Sequence, residues 1–147
     1  MEHDGTTTVP ARRAVVWERI TDPEVLTSCI MGAREVTRVD DRTYEGVIEQ
    51  TVAKVTVSMD GRVRIEDLDR PERLVFTGSG SDDRTGSRMD AEVAVDLTEA
   101  GAETTLSYDV DVTFTGKLAT LGARVLRRQV RANVDTYFDN LVEHVGR

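Results

Sequence analysis

The chain of 147 residues has a single cysteine, Cys29, three prolines and only two lysines, Lys54 and Lys117. One thiol cannot close an intramolecular disulfide or build a multi-cysteine metal site. No His-x-x-x-His, Cys-x-x-Cys or Gly-x-Ser-x-Gly pattern occurs. The two histidines, His3 and His144, sit at the chain ends, poor positions for a buried general base. No apolar run approaches the roughly 20 residues of a membrane-spanning helix. The N-terminus, Met1-Glu2-His3-Asp4, lacks the charged-then-apolar pattern of a signal peptide. A net charge of −8 works against nucleic acid as the main partner. These absences predict a cytoplasmic globular protein, and the length fits one domain over residues 1–147 with a sizeable core.

The charge that is present is one-sided: 27 acidic residues stand against 19 basic ones. An acidic, lysine-poor surface suits a salt-rich cytoplasm, and a high-GC coding sequence would equally favour arginine.

A polar strand ending at Val9 leads to Pro10, which the pattern places at the start of a helix through Ala14, Val15, Trp17, Glu18 and Ile20. Asp22-Pro23-Glu24 reads as an N-cap followed by proline at the first helical position, opening a second short helix. From about residue 34 to 114 the apolar period is two, which predicts about six antiparallel strands. Turns fall at Asp40-Asp41, Arg70-Pro71-Glu72 and Glu99-Ala100-Gly101. Parity switches across Ala53-Lys54, so a two-residue hairpin there sets Val52 opposite Val55. Asp60-Gly61 resembles a hairpin too, but a turn there would aim Arg62 and Arg64 inward. A continuous strand with Gly61 on its inner face keeps Met59, Val63 and Ile65 in step. Met89 to Leu97 and Leu106 to Phe114 alternate cleanly, apolar on one side and acidic on the other.

The apolar face needs a cover. A long helix from about Lys117 to Val145 supplies it, with an inner stripe of Leu118, Leu121/Gly122, Val125, Gln129 and Asn133 that shifts to Val130, Val134, Tyr137, Leu141 and Val145. The drift predicts a curved helix or a bend near Gln129. The loop Gly78–Gly86 reads as a flexible hairpin loop at a cavity mouth and has no Lys-Ser/Thr pair to act as a phosphate-binding loop.

The segments Val16-Trp17, Asp22-Pro23-Glu24-Val25-Leu26 and Cys29-Ile30-Met31-Gly32-Ala33, with Gly86-Ser87 and Gly116-Lys117-Leu118-Ala119-Thr120-Leu121-Gly122, resemble the carbon-monoxide dehydrogenase G-subunit family over nearly the whole chain. Met31 stands where that family usually has proline, and Ala53-Lys54 replaces its usual Gly-Pro. The resemblance implies an α+β helix-grip (START/Bet v 1-like) fold: a curved antiparallel sheet of six or seven strands around a long C-terminal helix, with two short helices after the first strand. It implies a cavity between sheet and helix. It also implies an accessory role beside a molybdenum hydroxylase of the carbon-monoxide dehydrogenase type, in membrane recruitment or in passing electrons to quinone. The chain stops at Arg147 without the C-terminal extension of longer members, which counts against stable membrane attachment. Peripheral contact with the inner face of the membrane stays open, as does a homodimer.

Within such a cavity the inner-face residues Val57, Met59, Phe76, Met89, Phe114, Leu121 and Val125 supply apolar lining. Gln50, Tyr108, Gln129 and Asn133 supply the few polar groups. Few placed polar groups in an apolar wall fit an apolar ligand with a polar head, a quinone or lipid, rather than a covalently held cofactor. A filled core with internally bonded amides is the alternative. With one tryptophan, three tyrosines and three phenylalanines, large fillers are few. Lys117, Arg124, Arg127, Arg128 and Arg131 share an arc of about 100° on the outer side of the helix, with no acid between residues 117 and 134. This stripe suits anionic headgroups or an acidic partner, unless its arginines pair with acids at the sheet edge. Gly116, Ala119, Gly122 and Ala123 predict either tight helix–sheet packing or a mobile cavity mouth. No inward carboxylate or histidine suggests protic catalysis, so the expectation is a non-catalytic carrier. A polyketide cyclase or dehydratase-like enzyme using Tyr108 and a cavity amide, and an adaptor with a solid core, are the competing readings.

Overall fold

The computed structural model describes residues 1–30 and 32–145; Met31 lies outside the described residues. The elements run β1 (Glu2–Val9), α1 (Arg13–Ile20), α2 (Pro23–Cys29), β2 (Ala33–Asp40), β3 (Thr43–Val52), β4 (Val55–Asp69), β5 (Arg73–Asp82), β6 (Ser87–Ala100), β7 (Glu103–Thr115), a short 3-10 segment (Leu118–Leu121) and α3 (Ala123–Val145). The strands form one seven-stranded antiparallel sheet in the order β1-β7-β6-β5-β4-β3-β2. The inner face carries the apolar alternation and α3 lies across it.

The predicted register holds in detail. Val52 pairs with Val55 across a turn whose two residues, Ala53 and Lys54, both have positive φ, the geometry a two-residue hairpin needs. Strand β4 runs straight through Asp60-Gly61, and Gly61 faces Gly46 on one side and Gly80 on the other. Leu74, Val95, Leu97, Leu106, Val110 and Val112 are buried on the inner face. Glu92, Asp109 and Asp111 are exposed on the outer one.

Four local expectations are corrected. Pro10 does not open α1; the helix starts at Arg13, after a bend in which the Ala11 N–H donates to the Val9 carbonyl. Gly78 to Asp82 belong to β5, so the hairpin loop shrinks to residues 83–86. Asp82 accepts from the Arg84 N–H and holds that turn tight. The final helix is not continuous from Lys117: the 3-10 segment ends at Gly122 (φ 92°, ψ 154°), and α3 starts one residue later. A helix of 23 residues is about 35 Å long. It runs unbroken through Gln129, so the interruption sits at Gly122 instead. Its buried stripe is Leu126, Val130, Phe138, Leu141 and Val145. At the start of α2 the prediction stands: the Glu24 N–H donates to Asp22 Oδ1 at 2.8 Å, with Pro23 at the first helical position.

The core has two parts. The larger joins α1, α2, α3 and the inner faces of β5 to β7 around Trp17, Leu74, Leu106, Phe138 and Leu141. The smaller gathers Val52, Val57, Met59 and Leu118 at the end where the 3-10 segment crosses.

Candidate ligand cavity

Sheet and helix do not close on each other. Between the inner faces of β3 to β7 and α3 lies a cavity of about 240 Å³, partly open to solvent. The hollow has a simple origin. Opposite α3 the sheet offers Gly78, Ala91 and a series of valines, and these short side chains leave the middle unfilled.

Val57, Met59, Phe76, Met89 and Phe114 line the sheet side, as their parity predicts, and Gln50, Gln129 and Asn133 supply polar groups. Tyr108, Leu121 and Val125 are not on the wall. Tyr108 has the right parity but the wrong position along β7. Its ring lies flat on Phe138, centroids 4.1 Å apart, and only 8% of the residue is exposed. Its hydroxyl lies against Gly5 of β1, at the sheet edge. Burial raises that phenol's pKa, and the nearby carboxylates of Asp135, Asp139 and Asp4 add to it. Leu121 and Val125 pack on the Val52–Val57–Met59–Leu118 cluster and so close one end of the space. The pairing of Tyr108 with a cavity amide, on which the cyclase-like reading depends, is not assembled.

Several wall residues lie outside the set expected from the sequence. Ala91, Val93, Val95, Val110 and Val112 carry their signal in strand parity, and Val130, Val134 and Tyr137 in the second half of the helical stripe. Leu126 and Phe138 fall a residue away from the expected stripe. Ile30, just after α2, carries no periodic signal.

The polar groups form a chain. Gln129 Nε2 donates to Asn133 Oδ1 at 3.0 Å, and Asn133 Nδ2 donates to Gln50 Oε1 at 2.9 Å. This ties α3 to β3 across the cavity. Tyr137, edge-on to Phe138 at 4.9 Å, has its phenol pKa pushed up by burial, with Cys29 adding to the shift. Cys29 is itself buried, its thiol pKa raised by desolvation, and its carbonyl accepts from Asn140 Nδ2. Among the described residues, no Lys, Arg, His, Asp or Glu lines the cavity, and no group of three His, Cys, Asp or Glu side chains could hold a metal ion. His3 bonds Asp135 at 3.3 Å outside the cavity, and His144 Nδ1 is buried without a partner among the described residues.

Lys117, Arg124, Arg127, Arg128 and Arg131 are all exposed, but only the four arginines lie on α3; Lys117 precedes the 3-10 segment, so the expected five-residue helix arc reduces to four. None of them forms an ion pair among the described residues. The arginines that do are Arg13, Arg34, Arg62, Arg64, Arg73 and Arg88. No helix among the described residues is long and apolar enough to cross a membrane.

Comparison with known proteins adds three findings. The model of a family described as the G subunit of carbon monoxide dehydrogenase (CoxG) matches residues 5–146. Among curated proteins, none matches the sequence. Among solved structures, a conserved protein from Geobacillus kaustophilus superposes with a TM-score of 0.90 at 22% identity, covering 99% of this chain and 95% of that one. A START superfamily protein from Mycobacterium smegmatis gives 0.72 at 14% identity over 99% and 97%. Ara h 8.0201 gives 0.66 at 15% identity over 99% and 97%. At these identities the likeness establishes the fold, which is the START/Bet v 1-like helix-grip fold.

Proposed function

The chain belongs to the CoxG family of carbon monoxide dehydrogenase, and on that premise we propose that it is a non-catalytic accessory protein that holds an uncharged hydrophobic molecule for a carbon-monoxide dehydrogenase-type molybdenum hydroxylase. A quinone or a neutral lipid fits. The observation that carries this reading is the composition of the cavity wall: aliphatic and aromatic side chains interrupted by three neutral amides and one phenol. A fatty acid or a phospholipid head would have to leave its charge there without a counter-ion, a costly placement in an apolar enclosure. A quinone head asks only for hydrogen-bond donors.

The exposed basic stripe supports the second half of the proposal, contact with the anionic inner face of the membrane, where such a ligand would be collected. The cavity and the stripe share α3, with Gln129 and Asn133 turned inward and Arg124, Arg127, Arg128 and Arg131 turned outward. The carrier reading is tested by native mass spectrometry of protein purified from its own host. Delipidated protein is then titrated calorimetrically with a short-chain quinone and with a fatty acid of similar length. A co-purified neutral lipid or quinone, and binding of the quinone at least tenfold tighter than the fatty acid, are expected. Preferential binding of the fatty acid, or binding of neither, overturns it.

A further inference from the structure

Gln129, Asn133 and Tyr137 follow one another at four-residue spacing on α3, which stacks them on one face about 6 Å apart along the axis. All three line the cavity, but they are not equivalent. The two amides are engaged with each other and with Gln50. The Tyr137 hydroxyl makes no hydrogen bond among the described residues, nor is it one of the sealed, unpartnered polar atoms such as Trp17 Nε1. It keeps some accessible surface, on a residue that lines the cavity. Its ring is held edge-on against Phe138, which fixes where the hydroxyl sits. Burial keeps the phenol protonated throughout the physiological range, so it is a standing donor. A donor left unsatisfied in apolar surroundings is costly, and an acceptor on a ligand removes that cost.

We propose that Tyr137 recognises the ligand's head by donating its hydroxyl hydrogen to a carbonyl or ether oxygen of an otherwise apolar, uncharged molecule. The head then lies at the Ile30 end of the cavity, and the tail runs toward Val57, Met59 and Leu118. This inference rests on the carrier reading above and adds to it the residue that discriminates an oxygen-bearing head from plain hydrocarbon.

The probes are a 1,4-naphthoquinone with a short isoprenoid chain and the naphthalene hydrocarbon with the same chain and no oxygens. Both are titrated calorimetrically into delipidated wild type, Tyr137→Phe and Tyr108→Phe. Tyr137→Phe keeps the ring and its contact with Phe138; Tyr108→Phe deletes a hydroxyl outside the cavity. Wild type and Tyr108→Phe are expected to favour the quinone by about three- to tenfold, the range of one net hydrogen bond. Tyr137→Phe should bring that ratio to about one with hydrocarbon affinity unchanged. The infrared carbonyl stretch of the bound quinone, lowered in wild type, should move back up in Tyr137→Phe alone. An unchanged ratio and stretch in Tyr137→Phe, with both probes still bound, overturns the Tyr137 assignment and leaves the carrier reading standing. Failure of wild type to bind either probe overturns both.

Discussion

The rings of Tyr108 and Phe138 lie 4.1 Å apart at an interplanar angle of 11°, a parallel stack between the middle of β7 and the second half of α3. Tyr137 stands edge-on to the same phenylalanine at 82°. Phe138 therefore divides the interior: on one side its ring seals helix to sheet, and on the other it forms cavity wall. Aromatic contacts of this kind contribute about 0.5–1.5 kcal/mol beyond area burial.

Phe138→Ala should cost about 3–5 kcal/mol in urea unfolding, the usual range for a buried phenylalanine, because both ring contacts and the seal are lost. Tyr108→Phe keeps the stack and should shift stability by less than about 1 kcal/mol. It should also leave binding of any cavity ligand unchanged. A loss of ligand affinity in Tyr108→Phe would contradict the placement of its hydroxyl at Gly5.

Two glycines flank the 3-10 segment and behave differently. At Gly116 (φ 77°) a Cβ would run into the Gly86 carbonyl oxygen and carbon, both backbone atoms that cannot turn aside. At Gly122 (φ 92°) a Cβ would meet nothing within 4 Å. Gly122→Ala should therefore cost only the backbone strain of that conformation, about 1–3 kcal/mol, and still fold. Gly116→Ala should cost clearly more, because strain and clash add. Thermal melts of the two variants side by side test the order. The reverse order would mean that the chain does not approach Gly86 as closely as the structure has it.

The acid limb of stability has an identifiable contributor in Asp82. Its carboxylate accepts the Ser58 N–H at 3.0 Å and the Arg84 N–H at 2.9 Å, joining the start of β4 to the β5–β6 turn. The Ser58 bond is the main cause of a pKa below the ordinary carboxylate value, and the side chain's partial desolvation opposes it. A depressed carboxylate stabilises the fold above its unfolded value, about 3.9, and that stabilisation is lost as pH falls through the folded value. Asp82→Asn keeps an acceptor oxygen but cannot titrate. The drop in melting temperature from pH 6 to pH 3 should be smaller in Asp82→Asn than in wild type. Equal drops would show that Asp82 has no depressed pKa.

The strand half of the fold was legible because β3, β4, β6 and β7 carry two chemically opposite faces. Asp, Glu and Thr alternate with Val, Leu and Met, so a one-residue slip would bury charge, and this fixed both the Val52–Val55 turn and the passage through Gly61. The helix was less legible. A 3-10 segment and an α-helix have nearly the same period over four residues, so Leu118, Leu121 and Val125 looked continuous across Gly122. The resulting phase error hid Leu126 and Phe138. For the cavity, parity identifies the face of a side chain but not how far along the strand the hollow extends. Tyr108 faces inward just as its neighbours do, yet α3 crosses there and fills the space. The unengaged hydroxyl of Tyr137 was invisible for a different reason: which polar groups find partners is a matter of geometry, not of spacing.

The last prediction concerns the outer side of α3. On the sheet some arginines hold carboxylates: Arg73 holds Asp96 and Arg88 holds Asp90 at about 3 Å. Across the stripe no such pairs form among the described residues, so the four arginines of α3, with Lys117 ahead of the 3-10 segment, face solvent on a chain whose net charge is −8. Reversing Arg124, Arg127 and Arg128 to Glu removes no ion pair, and exposed substitutions of this kind change stability little beyond about 0.5 kcal/mol each. The effect on surface binding should be much larger. Near an anionic bilayer each basic residue is worth roughly 1 kcal/mol, and reversal replaces attraction with repulsion. Co-sedimentation with phosphatidylserine-containing vesicles should fall by about a hundredfold or more in the triple variant. Wild-type binding should weaken in 0.5 M salt as screening shortens to a few ångströms, about one ion diameter. Neutral vesicles should bind both proteins equally weakly. If wild type and variant sediment alike with anionic vesicles, the stripe is a solvated helix face and the membrane half of the proposed function falls, while the cavity half is untouched.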